Sequence, residues 1–289
     1  MNELIVALGL AFAGGVFGAS VGGVAAFGLC GVAAIVGVGI QLAGGSPTFT
    51  ALVPWGPFLG PQAAFAGAIV AAAFAARRGF LSSGRDVLHP LASLGRPEVL
   101  LVGGLGGMVG QGLYMTLGRI SGSLPYPGLD AMALTVFLIG VGSRLLLGRS
   151  GLMGTPGACE TRWQPSAASL WIPAQSRPGQ IALLAISVAI PAAALTQAVP
   201  QAQGLIFAIS AASLLLLLSG KPMPVTLHMA LVAETAAAIS GGWLIPMVAA
   251  IMTGLLAEGV ARAFLVYGDT HIDPPALAIC LSGLILMLV

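Results

Sequence analysis

Few side chains in this sequence can exchange a proton, hold a cation or hydrogen-bond a solute from inside an apolar stretch, and their spacing is informative. His89 and His228 each follow a leucine, 139 positions apart, and each sits beside helix breakers, Pro90 in one case and Pro222 with Pro224 in the other. Histidine titrates near neutrality, so such a pair can relay a proton or hydrogen-bond a small solute. The competing role is a pair of interfacial histidines at a loop–membrane boundary. Glu234 lies six residues after His228 within Ala230-Leu-Val-Ala-Glu-Thr-Ala-Ala-Ala-Ile239, with no basic residue near it in sequence. An unpaired carboxylate there is protonated or holds a cation. Glu258 is spaced i,i+4 from Arg262, which suits an intrahelical ion pair. Gln111, in Val109-Gly-Gln-Gly-Leu113, stands at a matching place with an offset of 147. Gln62 and Gln201 each follow a proline, which favours a first helical turn; they can hydrogen-bond a neutral solute at a vestibule, although capping a helix end is the simpler role. Asp130 and Asp273 precede apolar runs, where a carboxylate complements the positive end of a helix.

Enzyme chemistry is not expected. Gly18-Ala-Ser20-Val-Gly22 fits Gly-x-Ser-x-Gly, but that elbow needs a strand–turn–helix context and here it lies in a glycine-rich apolar run. No His-Glu-x-x-His, phosphate loop, dinucleotide fingerprint or Cys-x-x-Cys occurs, and no cofactor is expected. His271, between Asp269 and Asp273, forms at most a weak cation site at a membrane surface. Cys30, Cys159 and Cys280 lack metal spacing; Cys159, in a polar loop, fits a reducing compartment. Basic clusters are missing from the apolar runs, which disfavours phosphate-like substrates, and a net charge of +2 with no basic stripe excludes a nucleic-acid partner.

The elements that must position these residues follow from composition. Only 7% of the 289 residues are charged and 57% are apolar, with a mean hydropathy of +1.01, whereas soluble domains carry about 25% charged residues. The chain reads as an all-α polytopic membrane protein whose main partner is the lipid bilayer, with about 9–10 transmembrane helices. Candidate spans, each near the roughly 20 residues a bilayer requires, are 4–21, 24–43, 61–78, 97–118, 130–147, 180–198, 201–219, 225–241, 243–266 and 274–289. The 42 glycines are about twice the ordinary share. Rows such as Gly14, Gly18 and Gly22, Gly103 with Gly107, and Gly106 with Gly110 suit close helix contact and a homo-oligomer. Arg77, Arg78, Arg85 and Arg96 mark one polar segment and Arg144, Arg149, Arg162 and Arg177 another. The positive-inside rule puts both, with Lys221, in the cytoplasm and leaves Arg119 and Arg262 outside. Met1-Asn2-Glu3 has no basic n-region, so no cleaved signal peptide is expected, and the expected location is a bacterial inner (plasma) membrane.

Self-similarity suggests two duplicated halves. Pro61-Gln62-Ala63 recurs as Pro200-Gln201-Ala202, Ser83-Gly84-Arg85 as Ser219-Gly220-Lys221, Leu88-His89 as Leu227-His228, and the run Asp130 to Gly140 parallels Asp273 to Gly283. The organisation read from this is a first half over 1–147, with an extra N-terminal helix, a cytoplasmic linker over 148–179 and a second half over 180–289. If 85–96 and 225–241 are both re-entrant or broken helices, the halves run parallel, which is the preferred reading; if 225–241 crosses fully, the second half is inverted. About ten spans in two related halves with paired histidines resemble, in architecture alone, urea and ammonium channels. The expected function is a permease or channel for a small neutral or weakly charged solute, lined by His89, His228, Glu234, Gln62, Gln201, Gln111 and Glu258, with proton or cation coupling open to the carboxylates. Two rivals are a cation or metal transporter using the Glu and His side chains, and a non-transporting anchor or scaffold subunit.

Overall fold

The computed structural model describes residues 2–158 and 160–288; Cys159, read above as a loop thiol, lies outside them. Eleven α-helices occur among the described residues, and no strand. They are α1 (Asn2–Val21), α2 (Gly23–Leu42), α3 (Thr48–Leu52), α4 (Ala64–Arg77), α5 (Pro97–Ser121), α6 (Ala131–Leu147), α7 (Pro178–Ala198), α8 (Leu205–Ala212), α9 (Leu227–Ser240), α10 (Leu244–Val260) and α11 (Pro274–Leu286). α8 runs on as a 3₁₀ turn to Ser219, and α10 as a π turn to Leu265. Every apolar run expected to span contains one α-helix, and α3 adds a short one that the sequence did not announce.

Six helical segments are long and apolar enough to cross a membrane: Glu3–Val21, Gly23–Leu42, Pro97–Ser121, Pro178–Ala198, Pro200–Ser219 and Leu244–Leu265. The other four, α4, α6, α9 and α11, have 14, 17, 14 and 13 residues. At about 1.5 Å per residue they fall short of a hydrocarbon core of about 30 Å. A non-helical stretch leads into each: 53–63, 122–130, 220–226 and 266–273.

Helices α1, α4 and α5 pack as one group of three, and α7, α9 and α10 as another. The first group closes on glycine. A Cβ on Gly107 would land on the Ala11 carbonyl oxygen and 2.9 Å from Gly15 Cα, and one on Gly67 would lie 2.5 Å from Gly15 Cα. The glycine rows of α1 and α5 are therefore contact faces. The second group closes instead on Ile181, Ala185, Ala189, Met229, Ala233 and Ala250. The two groups are joined where α2 packs on α8 and α6 on α11.

One end of the bundle gathers the basic side chains. Gly84 N–H donates to the Asp269 carbonyl, Arg162 donates to the carbonyls of Gly154 and Ala263, and Arg262 to those of Trp163 and Ser176. The loop after α4, the 148–177 segment and the end of α10 thus meet at this Arg-rich end. Arg262, expected on the opposite side, is among them, donating to the linker carbonyls of Trp163 and Ser176; of the 11 Lys and Arg only Arg119, at the end of α5, lies at the other end. Arg144 of α6 is 1% exposed and donates to Thr270 Oγ1 at 2.7 Å and the Leu152 carbonyl at 2.9 Å, with Asp269 Oδ1 3.5 Å away. Burial opposes ionisation of Asp269, but bonds from the Arg149 amide and Ser150 hydroxyl, with the Arg144 charge, outweigh it and hold the carboxyl below its ordinary range.

Candidate functional site

Two capped helix starts frame the site. Asp130 accepts a hydrogen bond from Ala133 N–H at 2.8 Å and Asp273 one from Ala276 N–H at 2.9 Å, so each carboxylate satisfies an amide that the first turn of its helix leaves open. The capping role read for both holds. α6 and α11 then lie side by side in opposite directions with reciprocal contacts: Gly140 leaves room for the His271 carbonyl and Ile272, and Gly283 for the Gly128 carbonyl. The start of each helix therefore lies beside the middle of the other.

Three cavities follow one another past these caps. At the Arg-rich end a cavity of about 300 Å³ is walled by Val24, Phe27, Arg85, Trp171, His271 and Asp273 among others. At the opposite end one of about 560 Å³ is walled by Trp55, Tyr114, Asp130, Gln203, Phe207 and Glu234. Between them lies an apolar cavity of about 50 Å³, bounded by Asp130 on one side and Asp273 on the other. It shares Met132, Phe207 and Leu231 with the large cavity, and Phe27, Leu227 and Pro275 with the Arg-rich one. α9 thus runs the full row, from Leu227 at the Arg-rich cavity to Glu234 at the opposite one. Residues 227–240 form one unbroken helix, with no hairpin within it.

Glu234 is 2% exposed. Its Oε1 accepts from the amides of Ile206 at 2.9 Å and Phe207 at 3.4 Å, capping α8 from a neighbouring helix, and its Oε2 has no partner. Gly204, with φ +91°, turns the chain into α8 so that these amides point at it. α2 begins alike: Gly22 has φ +93°, and the amide two residues on, Val24 N–H, donates to the Val87 carbonyl at 3.0 Å. A neutral carbonyl at the Arg-rich cavity thus stands where a carboxylate stands at the other.

The remaining candidates separate. His228 is fully buried with neither ring nitrogen partnered, His89 is half-buried and bonded to Ser93 Oγ, and neither lines any of the three cavities. The two histidines do not line one path, because Leu88-His89 lies in a loop whereas Leu227-His228 opens α9. Gln62 and Gln111 do meet, Nε2 to Oε1 at 3.2 Å, and Gln62 also donates to the Trp55 carbonyl. Both are buried and line none of the three cavities, and Gln62 holds the backbone of Trp55, a wall residue of the large one. Gln201 is exposed, and Glu258 pairs with Arg262 at 2.8 Å as its spacing suggested; neither lines a cavity. His271, read as a surface ligand, is buried, bonded to Asp273 at 3.2 Å and edge-on to Phe65. Among the described residues no three His, Cys, Asp or Glu side chains are grouped to hold a metal.

Sequence reasoning missed the wall residues Tyr114, Phe207 and Arg85, and treated Asp130 and Asp273 as caps alone. The available signal was the breakers beside those aspartates, Pro125-Tyr-Pro-Gly128 before one and Pro274-Pro275 after the other. They shorten the helices that follow and so draw the caps inward.

Set beside known sequences, residues 1–164 and 157–289 both match the family of unknown function DUF7973, and the chain belongs to that family. No curated protein and no solved structure matches it.

Proposed function

We propose that the protein is a membrane permease for a small neutral or weakly charged solute, built from two inverted repeats of five helices. The observation that carries this reading is the row of three cavities with a carboxylate at each boundary of the narrow middle one. In the repeat assignment α1, α2, α4, α5 and α6 correspond to α7, α8, α9, α10 and α11. Its supports are the two like groups of three helices, the positive-φ glycines before α2 and α8, the capping aspartates, and the reciprocal contacts of Gly140 and Gly283. Five crossings per repeat invert the second half, and the Arg-rich end then faces the cytoplasm. Inverted repeats with short helices that start within the membrane are a common transporter plan, with the solute site where the repeats meet. Carboxylates at membrane depth take up a proton or a cation, so Asp130, Asp273 and Glu234 are the coupling groups. The metal-transport rival is less favoured because its ligands, Glu234, Glu258 and the histidines, are not brought together.

Uptake by proteoliposomes tests this. Wild-type protein should admit members of a panel of small neutral and cationic solutes, faster under a pH gradient. Asp130→Asn and Asp273→Asn should lose most of that flux while keeping the melting temperature, since asparagine caps a helix about as well as aspartate. Absence of flux across the panel, or full flux in both variants, overturns the reading; a silent bilayer points to the non-transporting anchor.

A further inference from the structure

We infer that the large cavity at the Glu234 end is a recognition site for a small organic ammonium group. The inference rests on the permease reading and names its substrate class. Glu234 and Asp130 line this cavity, and no Lys, Arg or His does, so its field favours a cation over an anion. Glu234 is 2% exposed and keeps Oε2 without a partner at the cavity wall, while Oε1 is engaged by the α8 amides. A buried charged group seeks a partner, and none of the described residues supplies one to Oε2.

The remaining walls distinguish among cations. A dehydrated divalent ion needs about six or more converging oxygens, whereas here aromatic rings take much of the surface. Trp55 and Phe207 stand with centroids 5.4 Å apart and tilted by 47°, and Tyr114 adds a third ring. Aromatic faces together with a carboxylate suit an alkylated ammonium, whose charge is spread over methyl or methylene groups and is drawn to π faces. The volume of about 560 Å³ lies within the range of about 300–1,000 Å³ usual for small-molecule pockets and leaves room for an organic body. The Arg-rich cavity places Arg85 beside Asp273 and His271 and has only the Val87 carbonyl where Glu234 stands, so it holds a cation less firmly. Such a ligand is retained at the Glu234 end and released past the Arg-rich end.

Equilibrium binding to the purified full-length protein tests the inference with three probes: choline, its neutral carbon isostere 3,3-dimethylbutan-1-ol, and methylammonium. Choline or methylammonium should bind, and the isostere should bind at least about tenfold more weakly than choline, a difference within the range of a desolvated cation–π contact plus charge. Glu234→Gln, which keeps an oxygen for the α8 amides, should weaken binding by about tenfold or more with unchanged thermal unfolding; Trp55→Leu should weaken choline more than methylammonium. Sodium chloride at equal concentration should not compete. If the isostere binds as well as choline, if neither ammonium binds, or if Glu234→Gln binds like wild type, the inference fails. Should Glu234→Gln misfold, Trp55→Leu decides, and equal choline affinity there also overturns it. Flux of glycerol and urea in parallel separates the two claims. Neutral flux without ammonium binding removes this inference and leaves the permease, whereas ammonium binding without flux of any probe leaves the site and removes the permease.

Discussion

Replacing Gly107 with alanine probes the closest backbone crossing in the first group of helices. The added methyl would meet the Ala11 carbonyl oxygen and sit 2.9 Å from Gly15 Cα. Ordinary contact lies near 3.5–4.0 Å, so α5 must retreat from α1 by about 1 Å. Nothing on the far side can yield, because both obstacles are backbone. The same crossing seats Gly67 of α4, whose missing Cβ would lie 2.5 Å from Gly15 Cα, so retreat of α5 loosens a three-helix junction. Overpacking of this kind costs about 1–3 kcal/mol, and alanine in a helix returns about 0.5–1 kcal/mol. A net loss of about 1 kcal/mol corresponds to about 2–4 °C in melting temperature for a chain of this order of size. Gly112 is the control: no atom lies within 4 Å of its would-be Cβ, so Gly112→Ala should be neutral or stabilising by up to about 1 kcal/mol. Gly254 is the intermediate case. Its methyl would meet Met229 Cε and Ile181 Cγ2, both at 2.6 Å, and these side-chain ends can swing aside. Fluorescence-monitored unfolding of the three variants in detergent should rank Gly107→Ala lowest, Gly254→Ala next and Gly112→Ala highest. A Gly107→Ala protein that melts with wild type while Gly254→Ala does not refutes the crossing as described.

Two further outcomes concern the Arg-rich end. Arg144→Met removes the donors to Thr270 and Leu152 from a buried site and should destabilise by about 3–5 kcal/mol; Arg144→Lys should recover only part of this, since an ammonium lacks the guanidinium fork. Unfolding temperature, with limited proteolysis of the 148–177 segment, reads both. The second outcome is a pH dependence. Asp269 is held below its ordinary range in the fold, so its stabilising contribution is complete above the unfolded value of about 3.9 and is lost as pH falls through the lower folded value. Melting temperature should therefore drop more steeply below about pH 4 for wild type than for Asp269→Asn, and parallel curves would show that the carboxylate carries no such linkage.

What sequence made legible depended on how local each cause is. The helical runs and the gathering of arginines at one end follow from hydropathy and charge, which act wherever the residues sit. Caps were readable because Asp130 and Asp273 bond three residues ahead, as was the i,i+4 pair of Glu258 with Arg262. Partners brought in from distant segments were not readable. The amides that meet Glu234 belong to another helix, and the carbonyl that receives the Gln62 amide belongs to Trp55, in the irregular stretch before α4. Nor does hydropathy say that a helix starts late: the expected span at 61–78 begins only at Ala64, after a chain turn held by Gln62. The histidines were misjudged as a path-lining pair for a related reason, since matching dipeptides say nothing about whether each lies in a loop or a helix.

The repeated strings Pro-Gln-Ala and Leu-His fall on non-equivalent helices in the five-plus-five assignment, whereas Gly22 with Gly204, Asp130 with Asp273 and Gly140 with Gly283 fall on equivalent ones. Under the proposed inversion, the kind of residue that persists has a physical reason. Equivalent side chains in inverted repeats face opposite ends of the bundle and so meet different surroundings, and their chemistry is free to diverge. Backbone demands do not change with the end they face: a positive φ asks for glycine, a helix start for a capping oxygen, and a close crossing for a missing Cβ. The amide two residues beyond each glycine, on Val24 and on Ile206, has an acceptor in both places, the Val87 carbonyl in one and the Glu234 carboxylate in the other. A requirement of the fold thus anchors Glu234, which lines the large cavity and keeps one buried oxygen without a partner. Removing that oxygen without removing the acceptor, as Glu234→Gln does, is therefore the substitution that separates binding from folding.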